Sequence, residues 1–252
     1  MAVVTCSEVV AQCLSGQGSG WKHFVTDYLP FARAVLDYHY PELKESQEAT
    51  LRAIVLNAQD QNAAFFRSYQ GQSEREFLLH LREHVLQTVE RGHPAATPEV
   101  PLDWVVLEEA LADLSALDRQ VVWTAILGAR RDDIAALLRL DVNTVTGATD
   151  KAQELLKGRC DRWHSGLVQE NRHLLVREAR SRHTNDCCEP KIFLKLLDGQ
   201  ITWRDRLQVE RHLAQCWHCV DQLCRFREVI HLSRKTQPLT KAYAEACLRA
   251  LA

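Results

Sequence analysis

Residues 110–159 read ALADLSALDRQVVWTAILGARRDDIAALLRLDVNTVTGATDKAQELLKGR, and the spacing of their apolar side chains decides the fold class. Leu111, Leu114, Val121, Val122 and Ile126 recur at intervals that put them on one face of a helix. Arg131-Asp-Asp-Ile-Ala-Ala-Leu-Leu-Arg139 predicts a second, shorter amphipathic helix. Leu140-Asp-Val-Asn143 has room only for a tight turn, with Asp141 placed to cap a third helix that begins near Val142 and carries Thr144 and Val145. Two short helices joined by such a turn can present the second to a DNA major groove. Outward from this stretch the same spacing continues, as in Phe77, Leu78, Leu81, Val85 and Leu86, and ten glycines and seven prolines leave few interruptions. The expected class is all-α.

The clearest interruption is Arg91-Gly-His-Pro-Ala-Ala-Thr-Pro-Glu-Val-Pro101, where Pro94, Pro98 and Pro101 exclude a continuing helix and favour an extended connector. A second, polar break lies at Ser181-Arg-His-Thr-Asn-Asp-Cys-Cys-Glu-Pro190. Three helical domains are therefore expected, at 1–91, 102–180 and 185–252, with 92–101 as the linker. The net charge of −2 conceals a division: the first 180 residues sum to −6 and the last 72 to +4. Opposite signs favour docking of the last domain on the front of the chain.

The middle stretch resembles region 4 of the extracytoplasmic-function group of bacterial sigma factors. The likeness rests on Ala110-Leu-Ala-Asp-Leu114, Arg119-Gln-Val-Val122, Ile134-Ala135, Leu137-Leu138, Leu140, Thr144-Val145, Ala152 and Leu155-Leu156. It implies a helix-turn-helix that docks on RNA polymerase and reads an upstream promoter element, with Asn143, Thr144, Thr146 and Lys151 nearest the groove. After the Thr-Val pair, however, Thr146-Gly-Ala-Thr-Asp150 stands where the family places several basic residues. Gly147 is a poor helix former and Asp150 repels phosphate, so the expected grip on DNA is weakened.

Residues 20–91 resemble region 2 of the same factors through Phe24-Val-Thr-Asp-Tyr28, Phe31-Ala-Arg-Ala34, Phe65-Phe66 and Tyr69-Gln-Gly-Gln-Ser-Glu-Arg-Glu-Phe77. In that family the region binds the polymerase clamp and opens the promoter. Strand opening needs aromatic rings for unstacked bases and cations for the single strand. Phe65, Phe66, Tyr69, Arg67 and Arg75 offer those groups, while Phe and Tyr at helical spacing equally describe a packed core.

The most specific chemical signal is His212-Leu-Ala-Gln-Cys216-Trp-His-Cys219. A helix end and the turn after it can place one imidazole and two thiolates around a tetrahedral zinc ion, and a fourth ligand closes it into a structural site. The upstream candidates for that ligand are Cys187 and Cys188, with His183 in reserve and Cys224 and His218 as second choices. The segment from Cys187 through Leu196-Leu-Asp-Gly199 to Cys219 resembles the zinc-binding anti-sigma domain, whose spacing favours Cys187 over Cys188. The resemblance implies a domain whose helices pack on sigma regions, here within one chain.

Nine cysteines with no apolar run of about 18 residues and no basic leader point to thiols or metal ligands in a reducing cytoplasm, without a membrane. No phosphate-cradling glycine loop, nucleophile elbow or paired-carboxylate arrangement stands out, so no enzymatic activity is expected. Two functions compete. One is a sigma-type transcription regulator that binds RNA polymerase core and promoter DNA and is restrained in cis by its zinc domain. The other is a regulator on a sigma scaffold that binds proteins and no longer reads promoters.

Overall fold

Among the described residues, seven helices begin where a short polar side chain accepts a free backbone amide of the first turn: Thr5, Ser73, Asp103, Ser115, Asp141, Thr202 and Thr240. A computed structural model describes residues 4–92, 103–157 and 165–251, and all regular structure among them is helical. The fold is all-α. In chain order the helices are α1 (Cys6–Leu14), α2 (Gly18–His23), α3 (Leu29–His39), α4 (Gln47–Ser68), α5 (Glu74–Gly92), α6 (Trp104–Ala110), α7 (Ala116–Ile126), α8 (Arg131–Leu138), α9 (Val142–Leu156), α10 (Ser165–Ser181), α11 (Pro190–Leu197), α12 (Trp203–Leu213), α13 (Trp217–Ser233) and α14 (Lys241–Ala250). A π-helical turn, Phe24–Tyr28, joins α2 to α3.

The chain forms two units, Met1–Pro94 with Val229–Ala252, and Ala95–Glu228. The predicted 1–91 domain thus gains the end of the chain, and the predicted 102–180 and 185–252 segments share a unit as far as Glu228. The reason is apolar: Val229, Leu232, Tyr243 and Cys247 are buried in one core with Phe24, Leu29, Phe66 and Phe77. Tyr243 also donates its hydroxyl to the Glu48 carbonyl at 2.7 Å. Of the predicted 92–101 linker, residues 93–101 lie outside the described residues.

Within the first unit the aromatic side chains form a contiguous cluster. Phe65 and Phe66 are buried with ring centroids 4.8 Å apart, and Phe24 lies 5.2 Å from Phe66. Tyr69 is half-buried, 5.3 Å from Phe77, and its hydroxyl donates to the Ser73 carbonyl at 2.9 Å. These rings make the core here and do not face solvent as stacking platforms. α1 crosses α2 so closely that a Cβ on Gly20 would lie 2.6 Å from the Gln12 Cβ, which is why glycine stands there.

The second unit carries the helix-turn-helix. Ile134, Ala135, Leu137 and Leu138 of α8 pack with Val121 of α7 and with Val145 and Ala148 of α9. α8 ends on Arg139, whose φ of 57° turns the chain in the left-handed region, and two residues later Asp141 accepts the Thr144 amide at 2.9 Å.

In the first unit, the Nε2 atoms of His80 and His84 on α5 donate to the Phe65 and Ile54 carbonyls of α4 at 2.8 and 3.0 Å. Burial lowers both imidazoles below their ordinary value, against smaller opposing effects of those carbonyls and, for His80, of Glu83; Arg91 adds to the lowering at His84. A lowered folded value means that the unfolded chain binds more protons, so this stabilisation is complete above the ordinary value of 6.5 and is lost as pH falls below it. Urea unfolding of the first unit is therefore expected at lower denaturant at about pH 5.5 than at about pH 7.5, and the His80→Gln, His84→Gln double variant should narrow that difference. An unchanged difference in the variant would place the pH dependence elsewhere.

Candidate metal centre

The candidate site is assembled from one helix end, one turn and one helix start. His212 sits in the last turn of α12, and its carbonyl accepts the Gln215 and Cys216 amides, both at 2.9 Å. That double acceptance turns the chain immediately. Cys216 then accepts the Val220 amide at 3.1 Å as α13 starts, which brings Cys219 onto the first turn of that helix. Cys187 closes a separate tight turn, its amide donating to the Thr184 carbonyl at 3.1 Å just before α11.

One ligand atom from each of Cys187, His212, Cys216 and Cys219 lies within 4.8 Å of every other. Cys187 Sγ is 3.7 Å from Cys216 Sγ, and His212 Nε2 is 3.2 Å from Cys219 Sγ. A tetrahedral ion with bonds of about 2.3 Å to sulfur and about 2.0–2.1 Å to nitrogen sets its ligand atoms about 3.5–3.8 Å apart. Three thiols and an imidazole at these separations fit a zinc-like ion. Backbone amides support the sulfurs: Thr184 N–H donates to Cys187 Sγ at 3.3 Å and Cys188 N–H to Cys219 Sγ at 3.4 Å. The hydrogen bond from Cys219 holds the Cys216 thiol well below the ordinary thiol range, at about 4, with burial opposing and the Cys219 amide, Cys187 and His212 assisting.

Of the alternatives for the fourth position, Cys188 contributes its amide to the cluster, and its side chain is not in the group of four. Cys224 is fully buried away from it; burial pushes its thiol up to about 12, and it contacts Thr124 Oγ1 at 3.6 Å. His183 and His218 stand beside Cys187 without entering the four-ligand set.

Behind the cluster, the helix that starts at Trp217 is seated on α7. Trp217 is buried, with its ring centroid 5.8 Å from Trp123 and 6.4 Å from Trp104, and the Arg119 guanidinium lies 4.7 Å over it. Asp221 is buried among cations and a donor: Arg180 Nε at 3.2 Å, Arg225 Nε at 2.8 Å and Trp123 Nε1 at 3.1 Å. Arg227 Nε donates to Gln120 Oε1 at 3.1 Å. Trp123 and Asp221 were not singled out from sequence; the available signal was an acidic residue four positions before Arg225, the spacing of an ion pair on one helix face.

The residues expected nearest a DNA groove lie on α9. Asn143, Thr144 and Lys151 are exposed and Thr146 is half-buried. Three of the four are engaged locally: the Thr144 hydroxyl donates to Asp141, the Thr146 hydroxyl donates to the Val142 carbonyl at 3.0 Å, and Lys151 Nζ pairs with Asp118 at 3.0 Å. The hydrogen bonds from Thr144 lower the Asp141 carboxyl further. None of the four belongs to the Cys-His cluster.

No protein-family model matches the chain, and neither a curated protein nor a solved structure is found to match it. Among the described residues no helix is long and apolar enough to cross a membrane.

Removing two of the three sulfurs should abolish tight metal binding. The Cys216→Ser, Cys219→Ser double variant is expected to lose the tightly held zinc measured after gel filtration. In the parent chain, free zinc at about 100 times the dissociation constant should stabilise the metal-bearing unit by about 2.7 kcal/mol, seen as a higher unfolding midpoint. A tightly bound ion surviving in the variant would remove these ligands from consideration.

Proposed function

We propose that the protein is a transcription regulator of the extracytoplasmic-function sigma type, in which a zinc-binding segment restrains the sigma-like helices of the same chain. Cys187, His212, Cys216 and Cys219 hold the zinc, which supplies a dication that offsets the thiolates and ties the turn before α11 to the start of α13. The 20–91 stretch corresponds to region 2 and the α6–α9 stretch to region 4, acting on core RNA polymerase and promoter DNA in the cytoplasm.

One observation carries the cis restraint. The helix that begins at Trp217, between two of the candidate ligands, lies directly on α7 through Trp217, Asp221, Cys224 and Arg227. Within this unit Asn143 and Thr144 of α9 stay exposed, so the restraint acts on the α7 side and not by covering the recognition helix. Anchoring the turn from Cys216 to Cys219 holds Trp217 in place, and loss of the ion frees that turn. A tethered segment works at an effective concentration near the millimolar range, so a modest interface suffices.

A second reading, a sigma-scaffold regulator that binds proteins and not promoters, is favoured by the pairing of Lys151 with Asp118 and by Asp141 and Asp150 flanking the exposed side of α9. Phosphate contact there would have to break an ion pair and approach carboxylates.

The full chain should be retained by immobilised bacterial core RNA polymerase, and more strongly after chelation. Equal retention with and without chelator would overturn the cis restraint, and no retention in either state would overturn the polymerase-binding reading. The two readings separate on DNA. If α9 meets promoter DNA, Lys151→Glu should weaken binding and lower the salt slope by about one; the protein-binding reading expects no DNA binding for it to change.

A further inference from the structure

His183, Cys187 and His218 place two imidazoles and a thiol with one ligand atom each within 4.8 Å of every other. They come from three elements: the chain after α10, the turn before α11 and the first turn of α13. The two rings meet edge to face, centroids 4.9 Å apart. His218 Nδ1 donates to the Arg180 carbonyl at 3.1 Å. That bond fixes the tautomer and leaves the Nε2 lone pair for another partner, which is the arrangement metal-bound histidines characteristically have. His183 is exposed and Cys187 and His218 are half-buried, so an ion can reach them.

We propose that His183, Cys187 and His218 form a second binding site for a zinc-class divalent ion, with the Cys187 thiolate bridging it to the ion of the four-ligand centre. The proposal rests on the reading of that centre for the role of Cys187. Imidazole and thiolate together suit borderline ions such as zinc and disfavour magnesium or calcium, which prefer oxygen. A thiolate sulfur has lone pairs enough for two cations, and Cys187 is the residue common to both groups. The imidazoles bind as neutral donors and the thiol as thiolate, so the second ion competes with protons as the first does. Three protein ligands leave the fourth position to water, so this ion is held less tightly and exchanges first. It ties the end of α10 to the start of α13, next to Trp217, whose ring packs on Trp123 of α7.

The test is zinc per chain after equilibrium dialysis of the full-length protein against Zn(II), followed by stepwise chelation. Two ions are expected, one released early. His183→Ala, an exposed substitution that leaves the fold intact, should weaken the early ion by more than about tenfold, the lower end of what losing even an outer partner costs. His183→Ala with His218→Ala should remove it and keep the tight ion. A parent chain that saturates at one ion, or a second ion with unchanged affinity in the His183→Ala, His218→Ala variant, would overturn the proposal and leave the four-ligand centre standing. Binding of no zinc at all would overturn both. In the Cys216→Ser, Cys219→Ser background, one remaining ion that disappears with His183→Ala would support the second site independently.

Discussion

Three sulfurs and an imidazole packed as closely as Cys187, Cys216, Cys219 and His212 have to share either protons or a cation. A shared proton joins only two of them: Cys219, its thiol pushed up by hydrogen bonds with Cys188 and Cys216, holds Cys216 below the thiol range. A divalent ion satisfies all four at once, and the backbone amides already aimed at Cys187 and Cys219 are the donors that a thiolate-bound ion calls for. The position of everything C-terminal to Cys216 in the second unit follows from how this group is held, because α13 begins one residue later.

The next constraint along that helix is Asp221. A buried carboxylate costs several kcal/mol unless its charge and lone pairs are matched. Here Arg180 and Arg225 match the charge and Trp123 takes the second oxygen. The indole thereby fixes the register of α13 on α7, and Cys224 against Thr124 and Arg227 against Gln120 continue it one and two turns further. From Val229 onward the same helix contributes to the core of the first unit, where Tyr243 and Cys247 of α14 join it.

Much of this was legible in the residue order. Apolar spacing located the helices of the helix-turn-helix, Asp141 marked the start of α9, and the His-Cys-Cys spacing located three of the four clustered ligands, since the end of α12, one turn and the start of α13 are adjacent in the chain. The choice between Cys187 and Cys188 was not local: adjacent residues differ only in which way the turn from Thr184 aims them. The destination of α14 was hidden for the same reason, because an amphipathic pattern says that Tyr243 and Cys247 face something apolar and not what. Within α4, the positive φ of Asn62 and Ala63 had no signal beyond an asparagine, which tolerates that region, beside an alanine, which does not favour it. Aromatic residues that offered platforms for bases turned out to be the centre of a core, a distinction that burial makes and spacing does not.

The central claim is that the Cys-His cluster holds α13 on α7. It is tested most directly by hydrogen exchange with mass-spectrometric detection on the full chain, zinc-loaded and chelated. Chelation should strip protection from Cys187 through Phe226 and from the α7 peptides around Trp123, while peptides of α4 and α5 in the other unit keep theirs. Identical protection of α7 and α13 in the two states would contradict the claim.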